Sequence, residues 1–95
     1  MTSEDQPEAP IAIPITGELD LHTFQPRELD DVLSAYFEAC RERKIFSVRV
    51  VHGKGTGTLR TSVHAWLRRR RDVESFHQAD AADGGWGATW VRLHS

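Results

Sequence analysis

Along this chain the apolar positions switch between a period of two and a period near 3.6, and each switch marks an element. From Glu18 to His22 they alternate: Leu19 and Leu21 take one face, Asp20 and His22 the other, as in a short strand. Thr23-Phe24-Gln25-Pro26 reads as a turn, and Pro26 suits a first helical position because its missing N–H would have no partner there. From Pro26 to Lys44, Leu29, Val32, Leu33, Tyr36, Phe37 and Cys40 form one apolar stripe at helical spacing. Glu28, Asp30 and Asp31 near its start and Arg41, Arg43 and Lys44 near its end complement the helix dipole. The β-branched run Phe46 to Val51 predicts a second strand. Thr58 to about Arg70 predicts a second helix, with Leu59, Val63, Trp66 and Leu67 on its buried face and His64 beside that face, at the surface. Val73 to Gln78 reads as a third strand, Ala79 to Gly87 as a loop, and Ala88 to Leu93 as a last strand.

The order is β-α-β-α-β-β. Helices between strands imply right-handed crossovers and parallel pairing of the first three strands. The last strand follows a long hairpin and is expected antiparallel. The fold class is therefore α/β: a two-layer sandwich of two helices on a four-stranded mixed sheet, with one sheet face open to solvent. Residues 1–16, polar and interrupted by Pro7, Pro10 and Pro14, read as a flexible leader, and residues 17–95 as the folded domain.

Composition limits the function classes. A chain of 95 residues makes one domain. One cysteine, Cys40, excludes an intramolecular disulfide and a cysteine-built zinc site, and it suits a cytoplasmic setting. Its place on the helical stripe marks it as a small core residue rather than a nucleophile. No run reaches the roughly 18–20 apolar residues of a membrane helix, so no membrane partner is expected. The acidic start MTSEDQPEAP lacks the basic and apolar regions of a signal peptide.

The net charge of −2 hides an asymmetry. Residues 1–44 hold ten acidic against four basic side chains, a balance of −6, and residues 45–95 hold four against eight, a balance of +4. Between Ile45 and Arg71 stand seven bases and no acid: Arg49, Lys54, Arg60 and Arg68 to Arg71. A basic local face on a near-neutral domain fits a phosphate-bearing partner.

Strands that run the same way put their C-terminal ends on one edge, where open α/β sheets bind ligands. Asp20 and His22 end the first strand there, expected to share a face about 7 Å apart. His52 ends the second strand beside Gly53-Lys54-Gly55-Thr56-Gly57. Those glycines permit positive φ and close approach to a ligand, and the loop runs into a helix N-terminus that attracts anions. Its spacing is neither that of the nucleotide P-loop nor the dinucleotide fingerprint. Lys54, Arg49 and Arg60 are the expected phosphate contacts, and Trp86, set among glycines, is either a lid over the core or a stacking surface for a base. Arg68 to Arg71 fall at the far end of the second helix, away from this edge. His52 and His22 suit acid–base work, with Asp20 orienting an imidazole or ligating Mg²⁺; no dedicated metal site is expected.

Leu19-Asp20-Leu21-His22, then His52-Gly53-Lys54-Gly55-Thr56-Gly57, then Gly84-Gly85-Trp86-Gly87-Ala88-Thr89 together resemble the Smr (small MutS-related) domain family, over about residues 17–94. Thr23 stands where the common family form has glycine and adds a hydroxyl. The resemblance implies a fold like the C-terminal domain of translation initiation factor 3. It also implies nucleic-acid binding, with endonuclease activity on DNA or RNA in several members. The family's suspected active residues fall on Asp20, His22 and His52, and its phosphate site on the glycine loop. Three functions follow: a phosphodiesterase on RNA or DNA; a non-catalytic nucleic-acid-binding module of DNA repair, recombination or ribosome-associated quality control; or a domain docking on a ribosome or repair protein. Oligomeric state is left open by the sequence.

Overall fold

The computed structural model describes residues 14–55, 57–83 and 85–95. Most of the expected leader and Thr56 of the glycine loop lie outside these described residues. The chain forms β1 (Glu18–Asp20), a 3-10 turn (Pro26–Glu28), α1 (Leu29–Glu42), β2 (Ser47–Val51), α2 (Thr58–Arg68), β3 (Val73–Gln78), two 3-10 turns (Ala81–Asp83 and Gly85–Gly87) and β4 (Ala88–Leu93). Pro26 opens the first helical segment as expected, but the turn it starts is 3-10, closed by Glu28 N–H on the Gln25 carbonyl. Beyond β1, the Leu21 N–H still donates to the Val51 carbonyl at 2.8 Å before the chain turns away.

The four strands are ordered β1-β2-β4-β3. β1 and β2 pair in parallel, with Leu19 opposite Val50, and β4 is antiparallel to both β2 and β3. The first three strands do run in one direction. The expected parallel pairing of the third strand is nevertheless corrected, because β4 folds back into the slot between β2 and β3. The physical reason is local: the 79–87 loop returns β4 alongside β3 as a hairpin, and the other edge of β4 then completes the ladder of β2.

Alternation sorts the strand residues into two faces. Leu19, Leu21, Val48, Val50, Thr89, Val91 and Leu93 are buried under the helices. α1 buries Leu29, Val32, Leu33, Tyr36, Phe37 and Cys40, the stripe read from the sequence. α2 buries Val63, Trp66 and Leu67, and also His64, which the sequence pattern put at the surface. β4 is the cause of that difference. By separating β3 from β2 it widens the sheet beneath α2, and His64 comes to lie against Phe76 of β3, ring centroids 5.0 Å apart.

Two polar clamps join the layers. The buried Tyr36 hydroxyl accepts from Gly17 N–H at 3.1 Å and donates to the Glu18 carbonyl at 2.9 Å, fixing α1 to the start of β1. Trp66 donates its indole N–H to Asp30 at 2.8 Å and packs edge-on against Phe37, fixing α2 to α1. Among the described residues no helix is long and apolar enough to cross a membrane.

Tyr36→Phe keeps the ring and leaves a backbone donor and acceptor without that partner, so urea denaturation should show a loss of about 1–3 kcal/mol with an unchanged native helix signal.

Candidate functional site

The glycine loop is built against the start of β4. The Gly87 carbonyl accepts the N–H groups of both His52, at 3.0 Å, and Gly53, at 2.9 Å. A Cβ on Gly87 would stand 3.3 Å from Lys54 Cγ and 3.4 Å from the Gly53 carbonyl carbon, so the two loops touch backbone to backbone. Gly57 N-caps α2 at φ +86°, a left-handed conformation that favours glycine, and having no side chain it makes no side-chain cap itself. A groove of about 280 Å³ opens here, lined by His52, Gly53, Lys54, Gly55 and the start of α2 through Arg60.

Under this groove lies a buried chain of hydrogen bonds. His52 Nδ1 is 3.1 Å from the Gly53 carbonyl, which only accepts, so Nδ1 carries the proton. The bare Nε2 then accepts the Thr89 hydroxyl proton over 2.8 Å. Having spent that proton, Thr89 Oγ1 accepts from His64 Nε2–H, also at 2.8 Å. His52 and His64 are 5% and 8% exposed. Burial pushes the His52 pKa down, and the charge of Arg60 outweighs with it the opposing bond to Gly53. For His64, burial and then the charges of Arg60, His52 and Arg68 bring the pKa to about 4. Both rings are therefore neutral at pH 7, and both His52 nitrogens are committed within the protein.

Asp20 and His22 stand on the other side of the sheet edge. Their side chains bond directly rather than lying about 7 Å apart: His22 Nδ1–H donates to Asp20 Oδ1 at 2.9 Å, and the His22 backbone N–H reaches the same oxygen at 3.0 Å. Past Asp20 the chain leaves the extended ladder, which lets the imidazole fold back. Burial raises the Asp20 pKa, but the two bonds from His22 and its charge outweigh burial and hold the carboxyl below its ordinary value. His22 is largely exposed, with Nε2 facing away from its partner. Asp20 and Thr23 line a cavity with Glu18 and Phe24. The glycine-loop groove is a separate cavity, and Phe24 is the wall common to both.

Of the expected cations, Lys54 lines the groove and is exposed. Arg60 lies flat on Trp86, 4.1 Å from the ring centroid, and reaches Gln78 Oε1 at 3.4 Å. Its Nε is buried with no hydrogen-bond partner among the described residues, a cost that the indole face offsets. Trp86 is 46% exposed and sits 3.6 Å from where a Gly57 side chain would begin. Arg49 is elsewhere: its side chain pairs with Glu18 at 3.0 Å on the open sheet face, and its β4 neighbour is Trp90. Arg70 is held by Asp72 and stacks on Trp66, far from the loop as expected.

The structure thus joins Lys54, Gly53, Gly55, Gly57, Arg60, Trp86 and His52 at one groove, sets Asp20, His22 and Thr23 beside it, and leaves Arg49 on another face. Gly87, Thr89 and His64 were missed as supports. Gly87 and Thr89 stand in the quoted glycine-tryptophan motif, whereas His64 carries no local signal. The residues do not fit a resident Mg²⁺: of the two carboxylates that line the cavity, Asp20 gives its Oδ1 to His22 and Glu18 pairs with Arg49, and the described residues contain no group of three metal-binding side chains.

The buried histidines set a pH dependence. Their folded pKa values lie below the unfolded value near 6.5, so the unfolded chain binds more protons as pH falls below 6.5. Stability is full above about pH 6.5; His64 should reduce it by up to about 1.4 kcal/mol per unit between there and about pH 4, and His52 should reduce it in the same direction as pH falls below 6.5. Urea titrations across that range check this, and His64→Gln, which keeps a donor but cannot titrate, should flatten the slope.

The model of the Smr domain matches residues 19–94. The chain is 38% identical over 78 residues to the endonuclease MutS2 of Lactobacillus gasseri, an alignment covering 82% of this chain and 10% of that protein. It is 38% identical over 75 residues to the ribosome rescue factor SmrB of Tolumonas auensis, covering 79% of this chain and 43% of the relative. The chain thus spans a tenth of one relative and under half of the other. The crystal structure of the Smr domain of Thermus thermophilus MutS2 superposes with a TM-score of 0.79 at 36% identity, over 84% of this chain and all of that one. Sequence and architecture agree that this chain belongs to the Smr domain family.

Proposed function

We propose that this Smr domain, taken as residues 17–95, binds nucleic acid at the C-terminal edge of its sheet and cleaves a phosphodiester bond there. One observation carries the reading: the glycine loop, the start of α2, Lys54 and the Arg60–Trp86 stack line adjoining surfaces, with the Asp20–His22 pair across Phe24. The relatives' names support it, one being an endonuclease and one a ribosome rescue factor. The expected likeness to the C-terminal domain of translation initiation factor 3 belongs to the same reading.

Backbone N–H groups at the helix start and Lys54 suit the phosphate and the charge that develops on it. Trp86, with one face held by Arg60, offers its remaining surface to a base. His22 is the acid–base group, because Asp20 fixes its Nδ1 proton and leaves Nε2 as an exposed base. On RNA, His22 takes the 2′-hydroxyl proton, the 2′-oxygen attacks phosphorus, and the 5′-oxygen leaves with a proton from solvent. That route uses the substrate's own nucleophile. His52 acts as a positioning residue through the Gly53 carbonyl rather than on substrate.

The sealed state of His52 also favours a second reading, a binding module without cleavage. Of the two expected acid–base imidazoles, only His22 keeps a ring nitrogen open to a substrate.

His22→Ala should reduce cleavage of a labelled RNA about 10²–10⁴-fold while the thermal melt stays unchanged. Cleavage by that variant at the wild-type rate sinks the catalytic assignment, and salt-sensitive binding with no product from the wild type selects the binding module. Lys54→Ala should weaken binding and reduce the slope of log affinity against log salt by about one. A wild-type affinity independent of salt would refute phosphate recognition.

A further inference from the structure

The sheet face turned away from the helices is polar, and its side chains fall in rows. The row at the C-terminal edge is Asp20, Val51 and Ala88. One row further in, about 7 Å away, stand Glu18, Arg49, Trp90 and His77. The next holds Ser47, Arg92 and Ser75. Trp90 is central and half-buried, with Arg49 on one neighbouring strand and His77 on the other. A shallow cavity of about 360 Å³ lies over it, walled by Ser47, Ser75, His77 and Arg92. Glu18 is matched by Arg49, and the exposed Arg92 guanidinium has no carboxylate partner among the described residues.

We propose that this open face is a second binding surface, for single-stranded nucleic acid, on which a base stacks against Trp90 and Arg92 takes a phosphate. The composition selects that occupant. The face offers one large apolar group, flanked by the Glu18–Arg49 pair, Arg92, an imidazole and hydroxyls, where a protein-docking surface would present a broader apolar centre. Charge complementarity favours a polyanion at Arg92. Geometry connects the surface to the edge site: Asp20 projects from the same sheet face as Trp90, one row nearer the edge and two strands across, so a strand running diagonally from Trp90 over β2 reaches the Asp20–His22 pair. Single-stranded flanks are thereby distinguished from a duplex, which cannot splay a base onto the indole. The inference rests on the nucleic-acid-binding reading above but not on cleavage.

Anisotropy of labelled single-stranded dodecamers, of RNA and of DNA, and of a duplex of the same sequence tests it on the full chain. Trp90→Leu should weaken single-strand binding about 5- to 150-fold and change duplex binding by less than about twofold. Arg92→Glu, at an exposed site that leaves folding intact, should weaken single-strand binding by at least about fivefold and make its salt slope shallower by about 0.7. Lys54→Ala should weaken both ligands. If Arg92→Glu and a folded Trp90→Leu bind single strands as the wild type does while Lys54→Ala does not, the open face is no platform and the edge site stands alone. If the wild type binds no oligonucleotide, both readings fall. A wild-type dimer that Trp90→Leu converts to a monomer in sedimentation assigns the face to a second copy and overturns the proposal.

Discussion

Gly87 and Thr89, on either side of the first residue of β4, hold the site in shape. The Gly87 carbonyl draws in two successive N–H groups at the end of β2, and the Thr89 hydroxyl ties His52 to His64 beneath them. Each contact depends on β4 lying directly beside β2. Without that placement the glycine loop would have no backbone to lean on, and the buried His52 Nε2 would lose its partner, which costs the desolvation of that group. The third sheet contact follows from the same placement: because β4 separates β2 from β3, α2 has Phe76 to cover, and His64 is drawn inside.

That arrangement gives the two motif histidines different chemistry. His52 faces the helix layer, loses water and is held neutral with both nitrogens bound. His22 stays in solvent, oriented by one carboxylate and open at Nε2. Two imidazoles that look equivalent in sequence are thus split by the sheet into one enclosed by hydrogen bonds and one exposed to solvent. The charge distribution follows the same division. Lys54 and Arg60 sit at the loop, Arg49 pairs with Glu18 on the outer face, and at the far end of α2 Arg70 is held by Asp72 and Trp66 while Arg68 lies 5.9 Å from the Phe76 ring centroid. Only part of the seven-base stretch therefore lies at the loop.

Much of the fold was legible in the sequence. The α1 stripe, the bounds of β3 and β4 and the strand-end location of both motifs follow from spacing alone, since burial against one layer imposes a period that the residues must obey. The loop's glycines announced positive φ, and Lys54 and Trp86 were placed correctly beside it. Arg49 could not be separated from Lys54 by sequence, because its partner Glu18 is on a neighbouring strand. His64 was misread because amphipathic periodicity reports one stripe and does not say how wide the surface beneath it will be.

The sequence by itself determined the elements, their order, the core stripe and the residue types that gather at one edge, because these depend on contacts between residues a few positions apart. Tertiary structure alone decided that β4 fills the centre of the sheet, that His52 turns inward while His22 turns outward, and that Phe24 divides their cavities. Those outcomes depend on pairing across long separations, where a single change of neighbour exchanges which groups meet and which face water.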